Sequence, residues 1–320
     1  MEEVEKRSYG VDVSDWQVSN LSAMASAGAK YALVKVSEGL NYQNPKASAQ
    51  INSANSNGMM PAGYHYAHFS ASHSQAVLEG NYAVSSAKQA GIVPGSYLAC
   101  DYEEGSGNST FQGYSASGDA IVAFMNVVAN AGYKPLLYSG KEILTKRVDV
   151  KKVTGKYGTC LWIASYEYKS GTRLDNPDFG WFPSMDNVAI WQFTDNWRGL
   201  DVDGNISLID LKSDAIAPKP QPSNPSPAKP TSTERTWTDV QGMTWHAEDG
   251  TFITGGAINL RWGASTESML ITTLPAGSVV KYNAWARDSA GRVWLQQPRG
   301  SNHYGYLVGR VGNDPWGTFK

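Results

Sequence analysis

Cysteine is almost absent. Cys100 and Cys160 are the only two in 320 residues, which excludes a disulfide framework. Each sits in an apolar, strand-like run and reads as a small buried hydrophobe. No histidine and cysteine group has ligand spacing, so no structural zinc or other metal site is expected. No apolar run approaches the roughly 20 residues a spanning helix needs. The net charge is −2, too little of either sign to mark a nucleic-acid or anionic-membrane partner. The opening MEEVEKRSYG lacks the apolar segment of a signal peptide. That fits synthesis in a cytoplasm, although a chain trimmed of its leader would read the same.

What is present reads as globular: 41% hydrophobic residues against 18% charged ones. The chain is long enough for a large catalytic domain and a smaller module. The boundary is compositional. In APKPQPSNPSPAKPTSTER fall six of the 15 prolines, with almost no apolar side chains, so this stretch is expected to be an extended spacer. A PxxP ligand is the sharper and rarer alternative. The expected division is 1–213 for the first domain, 214–235 for the linker and 236–320 for the second domain.

Before the linker, β-rich runs bounded by Gly, Pro, Asn or Ser predict strands at 9–14, 31–37, 61–69, 96–103, 134–140, 160–166 and 187–194. Helical patterns lie between them. In GDAIVAFMNVVANAGYKP, Ile121, Phe124, Met125 and Val128 share one face and Gly132 marks the stop. Such alternation predicts an α/β fold whose parallel sheet closes, or nearly closes, into a barrel. The later strands have weaker helices, so a departure from regular eightfold repetition is expected. After the linker, short strands with Gly and Asn turns and no helical period predict a small all-β barrel.

The chemistry concentrates in LACDYEEGSG. On a strand, Asp101 and Glu103 share a face about 6–7 Å apart while Tyr102 points away. The C-terminal strand ends of such a barrel form its site. Asp12 in the first strand and Asp203 in the last are expected there too, so four carboxylates would converge. Like charges held close raise at least one pKa, and glycoside hydrolysis uses such a proton-carrying acid beside a carboxylate. A solvated acidic turn, the reading for Glu104, and a hard-cation site are the competing explanations. Tyr64, His65, Tyr66, Tyr138, Trp162, Trp191 and Gln192 fall near predicted strand ends, and aromatic faces with amide donors suit a carbohydrate cleft.

GVDVSDWQ, LVKVSEG with NYQNP, AGYHYAHF, ACDYE, GYKPLLYSG, LWIASY, AIWQFTD and VDGNISL resemble, in order, the glycoside hydrolase family 25 lysozymes. The likeness covers about residues 8–212. It implies an irregular, TIM-like (β/α)5(β)3 barrel that cleaves the β-1,4 bond between N-acetylmuramic acid and N-acetylglucosamine in peptidoglycan, without a cofactor. Carried over by position, Glu103 becomes the general acid, Asp101 its partner, and Asp12 and Asp203 the remaining acids. Lys35, Glu38, Tyr42, Tyr64, Tyr138, Trp162 and Gln192 would line the saccharide groove. The motifs leave open a covalent aspartyl ester or participation of the sugar's own acetamido group.

GTFITGGAINLRWGAS, LPAGSVVKYNAW, GRVWLQQPRGSNHYGYLVGR and WGTF resemble, more loosely, a bacterial SH3-type cell-wall-binding domain. The resemblance implies a peptidoglycan peptide or cross-bridge as its partner, a proline-rich ligand being the alternative. The whole reads as a phage endolysin, made in the host cytoplasm and acting at the wall. A secreted autolysin of the same activity and a non-catalytic peptidoglycan-binding protein are the rivals. A chitinase is disfavoured because the upstream aspartates of its DxxDxDxE motif are missing. Nothing demands more than a monomer.

Overall fold

The computed structural model describes residues 2–214, 236–239, 243–266, 268, 270–299 and 304–320. They fall into two compact units, one ending at Pro220 and the other starting at Gln221. Residues 215–235 of the expected linker lie outside the described residues.

The first unit is an eight-stranded barrel: β1 (Tyr9–Val13), β2 (Tyr31–Glu38), β3 (Met60–Tyr66), β4 (Tyr97–Asp101), β5 (Lys134–Gly140), β6 (Leu161–Ala164), β7 (Val188–Thr194) and β8 (Asp203–Ser207). Strands β1 to β7 pair in parallel, each with the next. Strand β8 runs antiparallel to β7 and to β1 and closes the ring. Helices follow only the first five strands: α1 (Ser22–Ser26), α2 (Ala47–Ser56), α3 (His73–Ala90), α4 (Tyr114–Asn130), then α5 (Lys141–Lys146) and α6 (Val150–Tyr157). The expected irregularity therefore lies in the last three strands. Among the described residues only a 3-10 turn, Phe179–Trp181, stands among them.

Local chemistry explains the helix ends. The Ser72 side chain accepts from Gln75 N at the start of α3, and Gly91 at φ 103° ends it in the left-handed conformation that side chains resist. Ile121, Phe124, Met125 and Val128 form the buried face of α4. A Cβ on Gly80 of α3 would stand 3.0 Å from Val127, so its absence lets the two helices approach closely.

Strand alternation sorts residues between the lumen and the helix layer. Tyr102 follows β4 and turns outward. Its hydroxyl donates to Ser70 O (2.9 Å) and contacts Ser117 Oγ of α4 (3.1 Å), and its ring stacks on Phe69. His65 of β3 also faces outward and is fully buried. Its Nδ1 meets Ser37 Oγ at 2.8 Å and its Nε2 meets Glu79 of α3 at 3.1 Å. Glu79 also accepts from His68 N (2.8 Å) and Gln75 Nε2 (3.2 Å). This polar chain ties β2, β3 and α3 together inside an apolar layer.

The second unit contains strands and no helix among its described residues. Every strand pair is antiparallel, in the order Thr236–Thr238, Thr244–Thr254, Val279–Arg287, Arg292–Pro298, Tyr304–Val311, Ile258–Arg261 and Leu270–Leu274. Two small apolar clusters fill it, one around Phe252, Leu260 and Leu295, the other around Trp245 and Trp294. Both of those indoles donate to carboxylates, Trp245 to Asp239 (2.7 Å) and Trp294 to Asp288 (2.9 Å), as buried tryptophans require.

Removing Glu79 would take their shared partner from the buried His65 Nε2 and from the partly buried His68 N and Gln75 Nε2. Glu79→Ala is expected to lower stability by about 2–4 kcal/mol, read as a lower urea midpoint at unchanged slope. An unchanged midpoint would show that the chain contributes nothing net.

Candidate active site

Asp12 lies near the end of β1, buried at 6% exposure. Its Oδ2 accepts two amide donors, Gln192 Nε2 of β7 at 2.8 Å and Asn205 Nδ2 of β8 at 2.7 Å. Each amide is held in turn. Gln192 Oε1 accepts the hydroxyls of Tyr138 (2.8 Å) and Tyr166 (2.7 Å), and Asn205 Oδ1 accepts Trp162 Nε1 (2.7 Å). Two N–H donors on one oxygen favour the ionised carboxylate, so they pull back the rise that burial imposes on the Asp12 pKa.

Asp203 is paired directly across from Asp12. Because β8 runs backwards, its first residue reaches the same mouth as the last residues of the parallel strands. Burial, then the charge of Asp12 and the hydrogen bond to it, push Asp203 up to about 9. The hydrogen bond between the two carboxyls raises Asp203 and lowers Asp12, so of the two Asp203 is the stronger holder of a proton.

Asp101 is the last residue of β4. The expected strand through 103 stops here, because Asn108 Nδ2 captures Glu103 O (2.6 Å) and bends the chain into a loop. Asp101 is 5% exposed, and its Oδ1 is buried without a hydrogen-bond partner among the described residues. Burial first, then the charge of Glu103, raise its pKa well above the carboxylate range, against the pull of Lys35. Glu103 is raised by burial and by Asp12, again opposed by Lys35. Tyr64 stands among all four acids: after burial, Asp12, Asp101, Asp203 and Glu103 each raise its hydroxyl. Glu104 is different. It is exposed, accepts Thr110 N and Oγ1 at 2.7 Å, and has a lowered pKa, as a loop-holding acid should.

Lys35 Nζ meets Glu38 Oε2 at 2.5 Å and lies over the rings of Tyr42 (5.4 Å) and Tyr66 (5.0 Å). Glu38 Oε1 lies 3.1 Å from His68 Nε2. The ring of His68 is wedged between Gly39 and Gly107, where a Cβ on either would come within 2.8 Å of it. No group of three or more His, Cys, Asp or Glu side chains among the described residues is arranged to hold a metal ion.

Of the aromatic set expected at the rim, two members are elsewhere. His65 belongs to the outer polar chain, and Trp191 packs outward against Phe179, Phe182 and Phe193. Strand parity puts their neighbours Tyr64, Tyr66 and Gln192 inside. Trp162 at 1% exposure presents no free face; it supports Asn205 and packs against Tyr138 at 4.3 Å. Sequence reasoning missed Asn205, Tyr166 and His68. Asn205 had a readable signal, since it lies two residues after Asp203 and so on the same strand face.

A family model for glycosyl hydrolases family 25 matches residues 11–202. The chain belongs to this family. Among family 25 relatives, it is 36% identical over 178 residues to a lysozyme of Lactococcus phage mv1, covering 55% of this chain and 86% of that protein. It is 33% identical over 210 residues to a lysozyme of Streptococcus phage Cp-7, covering 65% of this chain and 55% of that one. The chain thus spans about half the length of the Cp-7 relative. The fold is similar to that of a multimodular pneumococcal cell-wall endolysin from phage Cp-1, with TM-score 0.56, 24% identity, and 94% and 77% of the two chains covered.

Lys35 lowers the proton affinity of both Asp101 and Glu103. Lys35→Met should therefore move both titrations to higher pH, measured by carboxyl carbon NMR. Unmoved titrations would remove Lys35 from the electrostatics of the cleft.

Proposed function

We propose that this chain is a lysozyme of the phage-endolysin kind, hydrolysing the β-1,4 bond between N-acetylmuramic acid and N-acetylglucosamine in peptidoglycan. The family match and the phage lysozymes among its relatives support this reading. The observation that carries it is the gathering of Asp12, Asp101, Asp203 and Glu103 around Tyr64 at one barrel mouth, with Glu103 raised by burial and by Asp12 while two amide donors on Asp12 Oδ2 favour its anion. A glycosidase needs that pairing of a proton donor with an anion.

In the proposed reaction Glu103 gives its proton to the glycosidic oxygen as the bond to the anomeric carbon breaks. The acetamido oxygen of the muramic residue closes on that carbon and forms an oxazolinium ion. Asp101 accepts the acetamido N–H and so orients the group; its Oδ1, buried and unpartnered, is an acceptor in want of such a donor. Water then attacks the anomeric carbon, Glu103 takes back a proton, and the configuration is retained. Asp12 and its protonated neighbour Asp203 stabilise the positive charge developing on the ring.

We further propose that 1–213 is the catalytic domain, 214–235 a linker and 236–320 an SH3-type wall-binding module whose partner is a peptidoglycan peptide or cross-bridge. The all-strand second unit, with Trp237 and Trp316 exposed, supports this role. Tethering would raise the effective concentration of the barrel at the wall.

Glu103→Gln should reduce wall lysis by about 10³-fold or more with folding intact. Mass spectrometry of muropeptides from the wild type should show muramic acid at the new reducing ends. Normal clearing by the variant, or N-acetylglucosamine at those ends, would overturn the assignment. Deleting 236–320 should spare hydrolysis of soluble glycan and weaken binding to walls. Undiminished wall binding would remove the module's role.

A further inference from the structure

The segment after β1 does something unusual for a surface loop: it is pinned almost atom by atom and yet displays large apolar side chains to solvent. Helix α2 and the residue before it supply the pins. Lys46 Nζ donates to Asp15 O (2.6 Å) and Gln17 O (2.9 Å), and Gln50 Nε2 donates to Ser14 O (2.7 Å) and Val18 O (3.3 Å). Gln50 is fully buried and is itself fixed by Asn44, at 3.0 Å. From inside the loop, Gln17 Oε1 accepts Ser14 N at 2.9 Å. Within this frame Trp16 is 88% exposed and Val18 59% exposed.

An indole held in water by a rigid backbone has given up apolar burial without gaining flexibility. Preorganised aromatic surface of this kind is what a binding site needs, because little ordering entropy remains to be lost when a partner arrives. The position narrows the partner. Trp16 follows Asp12 by four residues, so its Cα lies at most about 14 Å along the chain from that of the buried acid. The loop also touches the residues expected to line the groove: Asp15 stands beside the Tyr42 hydroxyl, which burial, Asp15 and Glu38 push up to about 12. The Tyr42 ring in turn carries Lys35.

We propose that Trp16 is a platform for a saccharide ring of the glycan strand, a few units from the bond that is cut. This rests on the glycan-hydrolase reading above and extends it to a binding position outside the carboxylate cluster. The indole face stacks on the apolar face of the sugar, and the pinned loop sets its angle. Trp16 touches substrate without touching the reacting atoms, so its effect falls on binding of long strands.

The test uses the full chain and two probes: long glycan strands stripped of stem peptides by an amidase, and the shortest muropeptide saccharide the wild type cleaves. Trp16→Ala should raise KM on the long strands about tenfold or more, leave kcat within a factor of two, and leave the short substrate unchanged. Trp16→Phe should recover part of the loss. Equal KM values for wild type and Trp16→Ala on long strands would overturn the platform while leaving the hydrolase reading intact. So would an equal loss on both substrates, which would mean a structural role or contact with another part of the chain. A loss seen only on strands that keep their stem peptides would assign the indole to peptide instead, and would likewise overturn the proposal. A wild type that releases no reducing ends from either probe would overturn the hydrolase reading and the platform with it.

Discussion

The two amide hydrogen bonds on a single oxygen of Asp12 are the constraint on which the site depends. Four carboxyl groups buried or half-buried at one barrel mouth resist being charged together, because each additional anion meets both desolvation and its neighbours. Gln192 and Asn205 decide where the charge goes. The two donors oppose the rise that burial imposes on Asp12, while Asp203 is pushed further up by its cross-strand partner. The amides have no freedom to turn, since tyrosine hydroxyls and the Trp162 indole use their other ends. Two buried aromatics, Tyr138 and Trp162, and the more exposed Tyr166 thus orient the amides that act on Asp12, an acid none of the three is bonded to. Lys35 adds the counterweight by limiting how far Asp101 and Glu103 can rise.

The barrel's irregular end has a chemical use. A parallel eighth strand would present its last residues at the mouth, after rising through the core. The antiparallel one presents its first. Asp203 thus stands opposite Asp12 of β1, and Asn205, past a register shift against β7, stands opposite Gln192. Dropping the helices from the final strands leaves that side of the barrel to loops such as the one carrying Tyr166.

Much of this was legible from residue order alone. Strand limits came within a few residues wherever apolar runs ended in Gly, Pro or Asn, and period-two alternation put Asp101 inside and Tyr102 outside. Strand position puts Asp12, Asp101 and Asp203 at strand ends on one side of the barrel. The failures share a cause. His65 and Trp191 were grouped with their neighbours because a run of aromatics says nothing about which parity faces the lumen until one inward residue is known. The end of β4 was missed because a side chain from a later loop, Asn108, captures the backbone there. Burial of Trp162 could not be inferred, because whether a strand-end indole faces solvent depends on how far the neighbouring strands extend. Asn205 was overlooked for a simpler reason: an amide carries no charge and draws less attention than the acid it orients.

The backward direction of the last strand also governs how the chain departs. Having begun at the mouth, β8 ends at the floor, where Leu211–Ser213 zips against Glu2–Val4 and Asp214 is anchored by its own N–H, which donates to Gly95 O, and by the ammonium of Lys134. Both ends of the barrel's chain are thereby fastened on the side away from the chemistry. A segment fused at Asp214 at the bench would therefore start from the barrel end opposite the four acids, clear of the opening.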